Sequence, residues 1–197
     1  MAITLNGTTG ITTPTYGGSV PSEYITPVTG FKNRIINGAM VIDQRNAGAS
    51  VTLSTTTQYP VDSFPSYKGT AGATITAQQR STTNIAHPAG FNNSILYTVS
   101  TGATPAAGDI NAFWQMIEGF NAADLKWGTS DAQTVTLSFW VRSSVTGTYS
   151  ISLANGAANR LYVATYLVNS ANTWEQKSTT CLLYTSDAAA AEDSVDL

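Results

Sequence analysis

Chemistry-bearing residues are sparse in this chain. The single histidine, His87, lies in the stretch NIAHPAG, where the following proline favours extended backbone. One histidine excludes most histidine-dependent triads and zinc sites unless His87 itself serves. The plainer reading is a solvated loop residue. The single cysteine, Cys181, excludes an internal disulfide and a cysteine-rich metal site. Asp43, Asp62, Asp109, Glu118, Asp124 and Asp131 could pair for acid–base work. No spacing draws two of them together, and a glycosidase needs two within roughly 5–10 Å. Asn37-Gly38, Asp43 and Asp62 could help hold a structural calcium through carboxylate and carbonyl oxygens. A turn with solvated acids accounts for the same residues. The pattern points away from an enzyme and calls for no other cofactor.

The most pointed residue is Trp140, in the stretch Gln133 to Asn155, QTVTLSFWVRSSVTGTYSISLAN. Val135, Leu137, Phe139 and Val141 alternate with Thr134, Thr136, Ser138, Trp140 and Arg142. A period of two places the first set on a buried face and the second toward solvent. Ser143 to Gly147 has turn chemistry, and Tyr149, Ile151 and Leu153 resume the alternation. The stretch therefore predicts two strands joined by a tight turn, in an antiparallel sheet with one wet face. Trp140 and Arg142 fall on the outer face. Farther on, Tyr162 and Tyr166 share a parity opposite to Leu161, Val163 and Leu167. That parity places both tyrosines outside as well. Outward aromatics offer flat platforms for sugar rings or for a neighbouring subunit. The alternative is a second layer covering that face, which would make all three core residues.

The elements that must position these residues read as short strands. Arg34 to Arg45, RIINGAMVIDQR, is an apolar run broken by a turn or bulge at Asn37-Gly38. Strands follow at Val51 to Ser54, Tyr59 to Phe64, Ala73 to Arg80, Ser94 to Ser100 and Ala112 to Glu118. Asn121 and Asp124 could cap one helical turn, AADLKW. Arg160 to Val168 and Thr173 to Ser178 complete the series. About ten strands at this spacing predict an all-β fold, a jelly-roll-like antiparallel β-sandwich, rather than βαβ units.

Residues 1–30 differ in composition: they are rich in Thr, Gly and Pro, and Glu23 is their only charge. They read as an extended N-terminal arm or linker ordered by a partner chain, with GTTG as turn punctuation between short extended pieces. Residues 31–180 form the sandwich. From Cys181 the pattern changes abruptly to Ala and acid, so 181–197 reads as a non-native tail.

Composition sets further bounds. The 197 residues suffice for one sandwich domain and an extension. Charged residues are only 11%, whereas 42% are hydrophobic, so neither a helical bundle nor a disordered chain fits. Up to Thr180 there are eight acids against nine Lys and Arg, a balance of about +1. No basic stripe suggests nucleic acid, and no apolar run is long enough to insert in a membrane. The start lacks the basic and apolar regions of a signal peptide, so synthesis in a cytoplasm is expected.

Three blocks carry a resemblance. FKNRIINGAMVIDQRNAG, YPVDSF with EGFNAADLKWG, and TVTLSFWVRSSVTGTYSISLAN followed by NRLYVATYLVN and ANTWE resemble a recurrent domain of tail-fibre and virion-appendage proteins of tailed bacteriophages. The start MAITLNGTTGITTP is similar to the N-termini of such proteins. In that family the second block usually ends in Asp-Arg-Trp. Here Asp62-Ser63-Phe64-Pro65 loses the basic–aromatic pair, and Pro65 would interrupt a ladder. The I-I-N-G-x-M and S-F-W-V-R segments also resemble the jelly-roll carbohydrate-binding modules of secreted glycosidases. Finally, CLLYTSDAA resembles a translated sequencing-adapter peptide found at the ends of metagenomic assemblies, which implies a C-terminally truncated reading frame; a natural acidic tail is the alternative.

These resemblances imply a structural, non-catalytic virion component made in the host cytoplasm. They imply a homo-oligomer, a trimer by analogy with tail fibres, that contacts a host-surface glycan. Trp140, Arg142, Tyr162 and Tyr166 are the glycan- or subunit-contact candidates. Asp43 and Asp62 are the weak calcium candidates. The rival is a carbohydrate-binding module of a secreted bacterial protein; a polysaccharide depolymerase ranks third.

Overall fold

The computed structural model describes residues 4–6, 10–12, 33–157 and 160–181. Two units separate by contact, Met1–Arg34 and Ile35–Leu197. In the first, β1 (Thr4–Asn6) pairs antiparallel with β2 (Gly10–Thr12). The rest of the predicted arm lies outside the described residues.

The second unit is all-β. Its strands are β3 (Val51–Thr52), β4 (Gln58–Val61), β5 (Phe64–Lys68), β6 (Thr74–Ser81), β7 (Asn93–Thr101), β8 (Asn111–Phe113), β9 (Val135–Val141), β10 (Gly147–Ala154), β11 (Leu161–Val168) and β12 (Glu175–Cys181). The only α-helix among the described residues is α1 (Gly119–Ala122), continued by a 3-10 turn at Ala123–Leu125. All sheets are antiparallel, in the orders β3-β6-β7, β4-β5-β8, β12-β9 and β10-β11.

The first half of the unit pairs two three-stranded sheets. Ser66 on β5 is fully buried, and its hydroxyl meets the Tyr97 hydroxyl of β7 at 2.5 Å. Tyr97 stacks on Phe113 of β8, centroids 5.1 Å apart, so the sheets meet through this column. Burial pushes the Tyr97 hydroxyl pKa up, against the opposing pull of Ser66. The predicted strand at Tyr59 to Phe64 is instead a hairpin. Val61 pairs with Phe64, and Ser63 takes a left-handed φ of 71° in the turn. Pro65 lies within β5, and the β4–β5 register shifts between Gln58 and Val61. The Pro65 carbonyl accepts from the Trp114 N–H at 3.1 Å, so the side that lacks an N–H faces β8 just past its terminal pair, Ser66 with Phe113. Gly69 is required where the chain passes Ile110. Its N–H donates to the Ile110 carbonyl at 2.7 Å, and a Cβ would stand only 2.8 Å from that oxygen.

RIINGAMVIDQR forms no strand. It is an irregular segment with turns at 36–39 and 44–48. Side-chain amides replace the ladder. Gln115 accepts from the Ile36 N–H and donates to the Ile36 carbonyl. Gln79 donates to the carbonyls of Met40 and Val41. Asn37 accepts from the Ile42 N–H and donates to the carbonyls of Ile42 and Asp62. The predicted strand at Ala112 to Glu118 is correspondingly reduced to β8. Asn121 lies inside α1, where its amide bonds the Glu118 carboxylate at 2.8 Å; it is not the cap.

The second half contains β9 to β12. The predicted alternation of β9 and β10 holds: Val135, Leu137, Phe139 and Val141 are the more covered set, as are Tyr149, Ile151 and Leu153. The predicted hairpin does not form. β9 pairs with β12, Trp140 opposite Gln176, and β10 pairs with β11, Tyr149 opposite Tyr166. Ser143 to Gly147 is a corner between two sheets, entered by Gly147 at φ 145°. Tyr149 braces it, donating to the Val145 carbonyl while its oxygen meets the Ser143 hydroxyl. Phe139 meets Tyr166 edge to face at 5.0 Å, so the two sheets pack on each other. Val168 and Cys181 are fully buried. Cys181, expected to begin a poorly packed tail, closes β12 opposite Val135, and burial pushes its thiol up to about 11. Residues 182–197 lie outside the described residues.

Candidate functional site

The outer face of β9 and β12 gathers the candidate site. Thr136, Ser138 and Trp140 alternate outward on β9, and the register sets Thr180, Ser178 and Gln176 opposite them. Thr136 and Thr180 hydroxyls meet at 2.9 Å. Trp140 is 38% exposed on this otherwise hydroxyl- and amide-lined strip. Arg142 follows Trp140 with the same parity, and its Nε donates to the Asn172 carbonyl at 2.8 Å.

That carbonyl sits on a braced loop. Glu175 begins β12, and its carboxylate accepts from the backbone N–H groups of Asn169 (2.9 Å) and Ser170 (2.8 Å) and from the Asn169 amide (2.9 Å). Lys177 approaches it at 2.7 Å, in a pair whose side chains are only 17% and 14% exposed. The Lys177 bond first, then the loop donors, hold the Glu175 carboxyl at about 2, below its ordinary 4.5. Asn172 itself takes a left-handed φ of 58° and donates its N–H to the Ser143 carbonyl at 2.6 Å. The Trp140–Arg142 end of β9 is thus held from three sides: by its ladder, by the Glu175-braced loop and by the Ser143 corner.

Tyr162 and Tyr166 do not join Trp140. Both point into the interface between the sheets. Tyr162 donates to the Thr180 carbonyl at 3.2 Å, and Tyr166 stacks on Tyr149 as well as meeting Phe139. Burial pushes the Tyr166 hydroxyl pKa up, and Tyr149 adds to the shift. Leu161, Val163 and Leu167, expected inside, are outside at 36%, 48% and 53% exposure. The physical reason is volume. The gap facing Phe139 takes the Tyr166 ring, the Tyr162 hydroxyl reaches the Thr180 carbonyl, and a ring buries more area than a Leu or Val. The three-aromatic platform is therefore reduced to one indole.

The calcium candidates serve the loop below β4. Asp43 accepts from the Asn46 N–H (3.2 Å) and the Gly48 N–H (2.7 Å). Asp62 accepts from the Gln44 N–H at 3.0 Å and lies 3.7 Å from Arg45 Nε. Arg45 covers the Tyr59 ring at 4.7 Å. Among the described residues no three His, Cys, Asp or Glu side chains group as metal ligands. Other acids serve local turns: Asp109 accepts from the Ala106 N–H, and Asp131 pairs with Lys126 at 3.4 Å.

His87 is not a solvated loop residue. It is half-buried; its Nε2 meets the Ser94 hydroxyl at 3.0 Å and its ring lies 5.5 Å from Trp174. Its Nδ1 is buried without a partner among the described residues. Trp174 in turn donates from Nε1 to the Ala86 carbonyl at 2.8 Å, tying the β6–β7 connection to the start of β12. Trp174, Glu175 and Gln176 were not singled out from sequence. Their roles depend on the β9–β12 register and on loop geometry, which leave no local signature.

Compared with models of protein families, with curated proteins and with solved structures, the chain matches none.

Proposed function

We propose that the protein is a structural, non-catalytic component of a phage tail fibre or virion appendage, built on a jelly-roll sandwich, and that its β9–β12 face contacts a host-surface glycan. The carrying observation is Trp140: a partly exposed indole on a strip of Thr, Ser and Gln side chains, beside the Arg142–Asn172 hydrogen bond. An indole covers the apolar face of a sugar ring, and flanking amides and hydroxyls exchange hydrogen bonds with its hydroxyls. The virion assignment rests on the sequence blocks that resemble tail-fibre proteins, and so does the homo-oligomer, trimeric by that analogy. Engagement of Asp43, Asp62 and Glu175 with loop N–H groups weighs against a depolymerase, which needs a free carboxylate pair.

A carbohydrate-binding module of a secreted bacterial protein would use the same indole. Tail and capsid genes beside the reading frame favour the virion reading, and a signal peptide on the full-length gene favours the module. Glycan binding is tested on a glycan array with the wild-type protein and Trp140→Ala. The expected result is weak binding, in the micromolar to millimolar range, that the substitution abolishes. An array on which the two proteins behave alike refutes the glycan site.

A further inference from the structure

The edge of β11 is built to take another strand. Its sequence, LYVATYLV, is eight residues of high β-propensity with no charge, proline or glycine. β10 occupies one edge. Among the described residues no strand and no backbone hydrogen bond occupies the other. Proteins ordinarily blunt such an edge with lysine, proline or a bulge, and β11 carries none of these. The outward side chains of the β10–β11 pair are Thr148, Ser150, Ser152, Ala154, Leu161, Val163, Thr165 and Leu167, so no charge on this face repels an identical one.

We propose that β11 pairs antiparallel with β11 of a second copy, about a two-fold axis perpendicular to the sheet and passing between the two Ala164 residues. Antiparallel pairing sets directly opposed side chains on the same face, so inward residues must meet inward ones. With Ala164 opposite itself, Tyr162 meets the partner's Tyr166, and Leu161 meets the partner's Leu167. Aromatic meets aromatic and aliphatic meets aliphatic, the favourable cross-strand combinations. The alternative centre, Thr165, would set Tyr162 against Val168 and Ala164 against Tyr166, which matches less well. The product is a continuous four-stranded sheet with two β10 strands at its rims. A seven-residue ladder buries less than the roughly 1,200 Å² of a stable standard interface, so an isolated pair is weak and reversible. Multiple copies in one assembly would strengthen it by avidity. The inference rests on the β11 edge alone. It requires neither the glycan site nor the virion reading, and its two-fold symmetry is separate from the three-fold association implied by the tail-fibre resemblance.

Sedimentation equilibrium of the full chain across a concentration series tests it. A monomer–dimer equilibrium in the micromolar range, about 10–100 μM, is expected. Leu161→Lys with Leu167→Lys places like charges opposite each other in the pair and should weaken it at least tenfold. Leu161→Lys with Leu167→Glu places opposite charges there and should return it to within about threefold of wild type. The two sites lie six residues apart on an extended strand, about 20 Å, so they do not act on each other within one copy. Hydrogen exchange of wild-type β11 amides, slowing as concentration rises, checks the same contact without substitution. A wild-type monomer at millimolar concentration overturns the proposal, as do equal effects of the two double variants or β11 exchange independent of concentration.

Discussion

The two sheets of the β9–β12 half turn different faces to water. Outside β9 and β12 stand Thr136, Ser138, Gln176, Ser178 and Thr180 around one indole. Outside β10 and β11 stand small residues on one strand and Leu161, Val163 and Leu167 on the other. Between the sheets the order is reversed: β9 contributes aliphatics and Phe139, whereas β11 contributes Tyr162 and Tyr166. In β11, unlike β9 and β10, the inner side is therefore not the more hydrophobic of the two faces. It is the face whose shapes fill the gap opposite. A polar strip with one indole suits a hydrated ligand held by stacking, whereas an uncharged aliphatic edge suits another strand.

The comparison breaks most easily inside. Tyr166→Ala removes the ring that both Phe139 and Tyr149 contact. It should cost about 2–4 kcal/mol, read as a lowered urea midpoint, below the maximum for a fully buried ring because Tyr166 is only partly covered. A midpoint within error of wild type would return Tyr166 to the surface.

Acid acts on the brace behind the polar face. The Glu175 pKa is depressed in the folded state, so its stabilisation is fully present above its ordinary 4.5. It is lost as pH falls from there through about 2. Glu175→Gln should therefore lower the melting temperature at pH 7 and flatten its fall between pH 4.5 and 2. A variant profile parallel to wild type would show that Glu175 carries no folding linkage.

Outside, effects on the fold should be small. Trp140→Ala should lower stability by less than about 1 kcal/mol in the same denaturation while removing the proposed glycan binding. Leu167→Thr should change it by no more than about 0.5 kcal/mol, because the side chain already lies half in solvent. A cost of several kcal/mol at Leu167 would reverse the assigned parity of β11.

Much of the second half was legible locally. Alternation alone placed β9 and β10, their inner residues and the outward Trp140, because side-chain direction along a strand needs no knowledge of partners. Pairing does need it. Ser143 to Gly147 has the composition of a hairpin turn, yet β9 takes β12 as neighbour, and the strands on either side of the turn belong to different sheets. The parity of β11 leaves two readings open, outward tyrosines or core tyrosines under a second layer, and the packing of Tyr166 on Phe139 and Tyr149 selects the second for β11. RIINGAMVIDQR looked strand-like because its apolar residues are visible in sequence, whereas the Gln79 and Gln115 amides that hold it come from distant elements. The Trp140 strip was half legible: its indole followed from parity, but Gln176 and the Glu175 brace required the register.

The bond from Trp174 to the Ala86 carbonyl spans 88 residues of chain, whereas β10 and β11 meet through a short connection. Closing so long a loop is entropically late, since local hairpins form without it. The two halves should thus gain their ladders before the indole docks beside His87. Trp174 then serves as a clock for folding. Its emission, isolated by replacing the other three tryptophans with phenylalanine, should change in a slower phase than the far-ultraviolet dichroism of the strands.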